Sequence, residues 1–191
     1  MTTATTNKYA DVSFGTAEAV FNKLGGEEGI RRFLAGNTKV VIHDHIVGGG
    51  DPFVPDGWRV ESHRKMANLK LTREGDDLFL DGKKIEFFLS DEQKEGTIVG
   101  NDLRKELEGK SVLNACHLDY LREHPDLIPD NWKVDEQGKT RFIFFWGTIY
   151  RGSDGHLDVR CLYWGGGGWG WGHGWLGAGW SVHNPAAVLA S

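Results

Sequence analysis

The chain has 191 residues, of which 39% are hydrophobic and 12% aromatic, and its formal net charge is -5. This size and composition predict one folded domain with an extension, and they exclude an intrinsically disordered chain. The acidic balance and the lack of a Lys/Arg stripe exclude the charge pattern of a nucleic-acid-binding protein, and no apolar run approaches the ~20 residues that a membrane span requires.

The N-terminal extension is predicted to cover residues 1–55. It opens with a polar tail that lacks the basic start and apolar run of a secretory signal, so we expect a cytoplasmic protein or one of unassigned location. Composition and capping residues predict three elements in it, namely helices over 17–24 and 27–34 and a strand over 39–47. The run Gly48-Gly49-Gly50 then breaks the chain and marks the approach to the main domain.

The main domain is predicted to cover residues 56–191 and to combine short strands with two helices. Apolar and β-branched runs predict strands over 69–72, 78–80, 84–89, 132–134, 141–150 and 157–164. Asp81-Gly82 is a strong hairpin signal, and helices are predicted directly after Asn101 and Asn114, which would cap them. Strands followed by helices and then by further strands predict an α+β fold.

Two sets of side chains could carry chemistry. His43 and His45 flank Asp44 at the end of a predicted strand, where residues i and i+2 share a face and could bind one metal ion. No further metal-ligand spacing follows, and the simpler interpretation is a pair of surface histidines. Cys116 and Cys161 are predicted to be reduced core residues. The sequence therefore predicts no catalytic residue, no metal and no cofactor.

The most unusual feature is residues 164–184, which we term the Trp–Gly segment. Five of the eight tryptophans lie in it, and small residues fill almost all the positions between them. A helix is disfavoured here because each interior Gly costs about 1 kcal/mol relative to Ala. Since each buried indole removes roughly 150–250 Å² from water, short strands and loops held by indoles are predicted instead. The predicted frame consists of Trp164, Trp169, Trp171, Trp175 and Trp180.

The residues between these indoles are predicted to form the contact surface. Apart from the indoles and Leu176, positions 165–183 hold 14 residues, of which nine are Gly. If the indoles hold the backbone rigid, these residues face solvent and can contact a ligand. The predicted contact positions are Gly165, Gly166, Gly167, Gly168, Gly170, Gly172, His173, Gly174, Gly177, Ala178, Gly179, Ser181, Val182 and His183.

Several stretches of the second half carry a family resemblance. They are 142–151 (FIFFWGTIYR), 159–164 (VRCLYW), the Trp–Gly segment, the ending 184–191 (NPAAVLAS) and the stretch 103–132. Together they resemble the variable proteins of diversity-generating retroelements. The resemblance implies a C-type-lectin-like domain with two helices and a twisted, mostly antiparallel sheet. It also implies non-enzymatic recognition of an unknown protein or surface ligand, through positions diversified when template adenines are copied inaccurately and Asn codons change.

Two other functions stay open. One is a metal-dependent hydrolase that uses His43, Asp44 and His45, and the other is a structural or assembly protein whose tryptophans and glycines are only core. A binding surface predicts that Gly172→Asp and Gly174→Asp leave the fold intact. A purely structural core predicts that both substitutions are severely destabilising, because each would bury an unpaired carboxylate.

Overall fold

The computed structural model of the chain describes Phe21, residues 26–35 and residues 45–190. It divides into two compact units, Met1–His43 and Asp44–Ser191, each of which is described by itself. Apart from Phe21, the helix predicted over 17–24 lies outside the described residues, as do positions 39–44 of the predicted strand. No helix in the described ranges is long and apolar enough to cross a lipid bilayer.

The first unit contains helix α1, Gly26–Leu34, which confirms the helix predicted there. Glu27 and Glu28 occupy its first turn and Arg31 and Arg32 its last turn, so the charges of both pairs complement the helix dipole. Arg31 also donates a hydrogen bond of 2.6 Å to the carboxylate of Glu27, one turn earlier on the exposed face.

The second unit is an α+β domain that consists mostly of sheet. Its described strands are β1 (His45–Val47), β2 (Arg59–His63), β3 (Leu69–Glu74), β4 (Asp77–Leu80), β5 (Lys83–Phe88), β6 (Ile98–Val99), β7 (Ile143–Phe144), β8 (Thr148–Arg151), β9 (Leu157–Gly165), β10 (Gly168–Trp175), β11 (Gly179–Trp180) and β12 (Ala186–Leu189). Its described helices are α2 (Asp91–Glu95), α3 (Gly100–Glu106) and α4 (Ala115–Glu123), with 3-10 turns over Pro125–Leu127 and Asp130–Trp132.

Ten of the described strands form one open sheet, in the order β1-β3-β4-β5-β12-β7-β9-β8-β2, with β10 attached to β9. The pairing of β12 with β7 is parallel and the other pairings are antiparallel. Strand β9 carries β10 along one edge and both β7 and β8 along the other. Strands β6 and β11 form a separate antiparallel pair. Strand β10 is therefore an edge strand, as far as the described residues show.

The central strands alternate between two hydrophobic cores, one on each face of the sheet. Along β12, Ala187 belongs to the core that includes α4, whereas Ala186 and Val188 belong to the core that includes α3. In the same way, Leu162 and Cys161 of β9 belong to opposite cores. We refer to these as the α4 core and the α3 core. Because both faces are covered, the middle of the sheet is a rigid support for the hairpin at its edge.

Elements with strong local signals are confirmed. Strands β3, β4, β5 and β9 lie within a residue or two of their predicted bounds, roughly the usual uncertainty of strand ends. Asp81 and Gly82 have φ angles of 50° and 76° and join β4 to β5, as a two-residue hairpin turn requires. The Asn114 side chain caps α4 by accepting a hydrogen bond from the backbone N–H of Cys116, as predicted.

One predicted strand and one predicted cap are wrong, and another predicted strand forms as two separate strands, β7 and β8. Trp132 lies in a 3-10 turn and packs against Phe87, with ring centroids 5.0 Å apart, so no strand forms over 132–134. The strand predicted over 141–150 is interrupted at Gly147, whose backbone N–H donates to Leu113 outside the sheet. Asn101 does not cap α3, which begins one residue earlier. The first N–H groups of α3 instead donate to the carbonyls of residues 176 and 178, so no side-chain cap is needed.

The second unit starts before the boundary predicted at residue 56. Strand β1 pairs with β3 over three residue pairs, from His45 opposite Leu71 to Val47 opposite Leu69. This pairing places the glycine run 48–50 inside the unit, as a connection between β1 and the residues that lead to β2.

Candidate functional site

The Trp–Gly segment begins in the hairpin formed by β9 and β10. The register pairs Gly165 with Gly168 and leaves Gly166 and Gly167 as a two-residue turn. Both turn residues have positive φ angles, 61° and 83°, which is the geometry of a type I′ turn. Only Gly, Asn and Asp adopt this conformation readily. The turn geometry therefore explains the middle of the glycine run, independently of any contact role.

One face of the hairpin carries the indoles. Residues directly opposite each other in an antiparallel pair share a face. Trp169 lies opposite Trp164, and Trp171 lies opposite Leu162, which belongs to the α4 core. Trp169 and Trp171 are partly buried against that core, and the Arg160 guanidinium lies 4.5 Å from the Trp171 ring centre. Strand β10 is thus held to the domain by its tryptophans, as the predicted frame requires.

The last two predicted frame residues differ from each other. Trp180 is only 2% exposed and packs in the α3 core, with its ring 4.3 Å from Phe144 and 4.7 Å from Trp146. Trp175 is 46% exposed and stacks on the imidazole of His156 at 4.7 Å. Trp180 is therefore a buried anchor, whereas Trp175 is a surface ring and not a part of the buried frame.

The other face of the hairpin carries the glycines. Strand β10 has no side chains on this face, where three of its glycines lie opposite residues of β9 in the pairs Gly170–Tyr163, Gly172–Cys161 and Gly174–Val159. Neighbouring rings form the walls of an open cavity of about 240 Å³, which we term the glycine groove. It is lined by Phe142, Phe144, Cys161, Gly172, His173, Gly174, Trp175, Ala178, Gly179, Trp180 and Asn184.

Four of the predicted contact positions have room for a side chain, and at one of them, Gly168, an added Cβ atom meets open space. A Cβ atom at Gly172 would lie 3.4 Å from the Cys161 sulfur, and one at Gly179 would lie 3.6 Å from Thr97; both are ordinary contacts. A Cβ atom at Gly170 would lie 3.3 Å from the Tyr163 ring, which needs only a small shift of that ring. These positions can therefore change without displacing the buried residues beneath them.

Gly174 lines the groove but is also a packing position, so the prediction that its residue can change without disturbing the fold is wrong. A Cβ atom there would lie 2.9 Å from the Trp180 ring and 3.0 Å from the Phe144 ring, and both rings are buried. Glycine at this position is what allows Trp180 to pack directly against β10. Gly177 differs, because a Cβ atom there would overlap the ring of Trp175, which is exposed and has room to move.

The remaining predicted contact positions do not join the groove into one continuous face. Gly165–Gly168 form the tip of the hairpin, beyond the groove. The side chain of His173 lies on the indole face, opposite Arg160, although His173 is also among the residues that line the groove. Its ring centroid lies 4.9 Å from that of Trp58 in an edge-to-face arrangement. The structure therefore divides the predicted contact surface among several neighbouring sites.

The turn over 181–184 is held in place rather than free to change. The buried side chain of Gln93 donates hydrogen bonds to the carbonyls of Ser181 and Asn184, at 3.0 and 3.1 Å. The imidazole of His183 lies 2.7 Å from the carboxylate of Asp135. Ser181 and His183 are consequently partly buried, and their side chains contribute more to the turn than to an exposed surface.

The aromatic walls of the groove are functional candidates that the sequence did not indicate. Phe142 and Phe144 lie two residues apart and Cys161 lies in the next strand, but only the strand register shows that all three face the glycines. Burial raises the pKa of the Cys161 thiol to about 12, so this part of the groove is uncharged. Cys161 is buried as predicted, whereas Cys116 is only partly buried.

The predicted metal pair is described only in part. His43 and Asp44 lie outside the described residues, and the His45 imidazole lies 2.8 Å from the hydroxyl of Tyr120. Among the residues that the structure describes, no three His, Cys, Asp or Glu side chains are placed to hold a metal ion.

The groove offers apolar and aromatic contacts. It combines aromatic walls, a glycine floor and a neutral thiol, and it opens to solvent beside the exposed ring of Trp175. Comparisons of the chain with models of protein families, with curated proteins and with solved structures find no match.

Proposed function

We propose that this chain is a non-enzymatic binding protein that recognises a protein or another surface ligand through its Trp–Gly segment. The observation that carries the proposal is the division of β10, in which Trp169 and Trp171 pack on the α4 core while Gly172 and Gly174 line an open groove on the other face. Such a strand keeps frame and contact positions apart, so that contact residues can change with little effect on the frame.

The size and lining of the groove favour a macromolecular surface over a small cofactor. Its volume of about 240 Å³ lies below the ≈ 300–1,000 Å³ of sites that enclose drug-sized ligands. Rings such as Phe142 and Trp175 offer apolar contact area and lose little conformational entropy on binding. We therefore expect a partner that inserts one or two apolar side chains while the hairpin tip contacts its surroundings.

The family resemblance supplies the finer part of the proposal. Variable proteins of diversity-generating retroelements imply a C-type-lectin-like domain, with which the α+β order of this unit is consistent. Gly170, Gly172 and Gly179 have room for an added Cβ atom, which is the first requirement for the side chains that Asn codons and their copying products encode. Gly166 and Gly167 adopt φ angles that Asn and Gly both tolerate. These positions fit a surface diversified from an Asn-rich template.

The coding DNA tests the diversification directly. A Gly codon that arises from an Asn codon through changes at both adenines ends in C or T. We expect such codons at the glycines between 165 and 179, together with a nearby reverse-transcriptase gene and a near-copy of the 3′ end that differs only at adenines. Gly codons that end in A or G across these positions contradict the proposal.

Recognition is tested by display of the full chain with positions 170, 172 and 179 randomised, followed by selection against a soluble protein such as lysozyme. The control library randomises Gly50, Gly96 and Gly109, which lie outside the groove and at which an added Cβ atom meets open space. We expect binders from the first library and not from the control library. Equal recovery from both libraries would mean that the groove has no special capacity for recognition.

A further inference from the structure

A second depression lies on the indole face of the hairpin, beside the turn that joins β8 to β9. Its volume is about 390 Å³, and its lining includes Trp58, Asp154, His156, Asp158, His173 and Trp175. Asp158 and Trp175 are directly opposite each other in the β9–β10 ladder, so their side chains share this face.

Asp158 is a buried carboxylate without a partner. The residue is only 5% exposed, yet among the described residues no hydrogen bond or ion pair reaches its carboxylate. The arginines nearest in sequence are engaged elsewhere, since Arg151 pairs with Glu61 at 2.8 Å and Arg160 pairs with Asp119 at 2.7 Å. The carboxylate borders the open depression, so a ligand that enters it can supply the hydrogen bonds that the described side chains do not.

The surroundings of Asp158 make the pocket electronegative. Asp154 also lines it, although its carboxylate is partly used, because it accepts a hydrogen bond of 3.0 Å from the backbone of His156 and lies 3.2 Å from the His156 imidazole. No Lys or Arg belongs to the described lining. Burial raises the pKa of the Asp158 carboxyl, an effect that His173 and His156 oppose and Asp154 reinforces. A ligand that brings positive charge into the pocket therefore favours the ionised form of Asp158.

We propose that this pocket binds an alkylammonium group, carried either by a small amine or by a lysine side chain of a partner protein. An ammonium group donates charge-assisted hydrogen bonds to Asp158 and balances the second carboxylate of Asp154. Trp58 and Trp175 line the same pocket, and indole rings are the side chains that attract cations best. The ammonium site shares Trp175 with the Trp–Gly segment, but both carboxylates lie outside that segment, so the site can be tested separately from the proposed recognition function.

Other ligand classes fit these residues less well. An anion would meet two carboxylates and no Lys or Arg, which like-charge repulsion disfavours. A metal ion needs a set of ligating side chains that the described residues do not provide. A neutral alcohol can donate one hydrogen bond to Asp158, but it leaves the negative charge of the pocket uncompensated.

The test is an NMR titration of the full-length, ¹⁵N-labelled chain with n-butylammonium chloride, and with 1-butanol at matched ionic strength as the neutral comparison. We expect saturable shifts of the indole N–H signals of Trp58 and Trp175, with a Kd on the order of 1 mM for the amine. The buried indoles of Trp146 and Trp180 should not shift. Equal shifts with 1-butanol, or no shift with the amine, would overturn the proposal.

A matched pair of variants tests whether the Asp158 carboxylate is the group that binds the ammonium ion. Asp158→Asn keeps the shape of the side chain, and we expect it to weaken amine binding about tenfold or more. Asp130→Asn removes an exposed carboxylate that pairs with Lys133 at 2.6 Å, and it should leave binding unchanged. Unchanged binding in Asp158→Asn would contradict the assignment. If Asp158→Asn does not fold, the assignment is tested by measuring the pKa of Asp158 in the unaltered chain. This pKa must fall when the amine binds and must not fall when 1-butanol is added.

The source of the ammonium group is distinguished by a third probe, the peptide acetyl-Gly-Lys-Gly-amide. Binding at least about tenfold tighter than that of n-butylammonium supports a lysine of a partner protein, since the flanking peptide then adds contacts. Equal affinity supports a small amine. Failure of both cationic probes contradicts the ammonium site but leaves the proposed function of the Trp–Gly segment untouched, so the two failures are distinguishable.

Discussion

Arg160 and Asp119 form a two-point ion pair between strand β9 and helix α4. The two Arg160 terminal nitrogens lie 2.7 and 3.2 Å from the two Asp119 carboxylate oxygens, and the Arg160 side chain is fully buried. The same guanidinium lies against the Trp171 ring, and the backbone N–H of Phe53 donates to Asp119. The indole face of the hairpin is therefore fastened to the domain by a buried charge pair as well as by apolar packing.

Removal of the Asp119 carboxylate should be strongly destabilising, because it leaves the buried Arg160 charge uncompensated. We expect Asp119→Ala to lower the free energy of unfolding by about 3–5 kcal/mol, measured by urea denaturation. The control is Asp102→Ala, which breaks an exposed ion pair with Lys105 and should cost less than about 1 kcal/mol. Similar small losses for both variants would show that the Arg160 charge does not depend on Asp119.

Stability should depend on pH through His117. Burial, helped by the neighbouring His63 and opposed by a backbone hydrogen bond at Asn114, lowers the pKa of His117 to about 4 from its ordinary value of 6.5. As the pH falls from 6.5 toward 4, the unfolded chain takes up a proton at this residue that the folded chain does not. The contribution of neutral His117 to the free energy of unfolding is therefore fully present above pH 6.5. As the pH falls toward 4, the free energy of unfolding decreases by up to about 3 kcal/mol through this residue.

The pH prediction is measured as the free energy of unfolding between neutral pH and pH 4, for the unaltered chain and for His117→Gln. Gln does not titrate and can still hydrogen-bond Asn114, the residue that His117 contacts at 2.7 Å. We expect the unaltered chain to lose more stability on acidification than the variant. Parallel pH profiles would mean that His117 is already free to accept a proton in the folded protein.

The turn of the hairpin should tolerate Asn and reject β-branched residues. Gly167 has a φ of 83°, so Gly167→Val should cost about 1–2 kcal/mol, whereas Gly167→Asn should cost less than about 1 kcal/mol. Gly168→Val is the matched control, because this neighbour lies in β10 and an added Cβ atom meets open space. Thermal unfolding of the three variants makes the comparison. Equal effects at 167 and 168 would contradict the type I′ turn.

The two cysteines should differ in reactivity. Cys116 is partly exposed, whereas Cys161 is buried and its pKa is raised to about 12 by that burial. A thiol reagent at mildly alkaline pH should therefore label only Cys116 in the folded protein, with Cys161 reacting after denaturation. Mass spectrometry of labelled peptides identifies the site, and Cys116→Ser should abolish labelling of the folded chain. Rapid labelling at Cys161 would show that the floor of the glycine groove opens.

Local signals predicted a large part of the fold. The Asp81-Gly82 turn and the Asn114 cap were recognised because each depends on the conformational preference of one or two residues. The absence of a helix in the Trp–Gly segment follows from the same kind of signal, namely the low helix propensity of its glycines. Asn101 shows the limit of such signals, because its helix is capped by carbonyls at 176 and 178, which come from a distant part of the chain.

The candidate site could not be predicted in full, because it depends on strand register and on contacts between residues that are distant in the sequence. The alternation of Trp and Gly predicts two faces only after the β9–β10 register is known. Gly172 and Gly174 are equivalent in sequence, yet only Gly174 meets Trp180, because a loop returns that ring to the strand. The pairing of Arg160 with Asp119 likewise joins residues that no local pattern connects.

The most direct measurement compares the unfolding free energies of Gly172→Asp and Gly174→Asp. The account predicts that Gly172→Asp stays within about 1 kcal/mol of the unaltered chain, because its side chain enters the open groove. Gly174→Asp should lose about 3 kcal/mol or more, because its carboxylate would be forced between the buried rings of Trp180 and Phe144. A large loss for Gly172→Asp would contradict a groove that can carry changing contact residues.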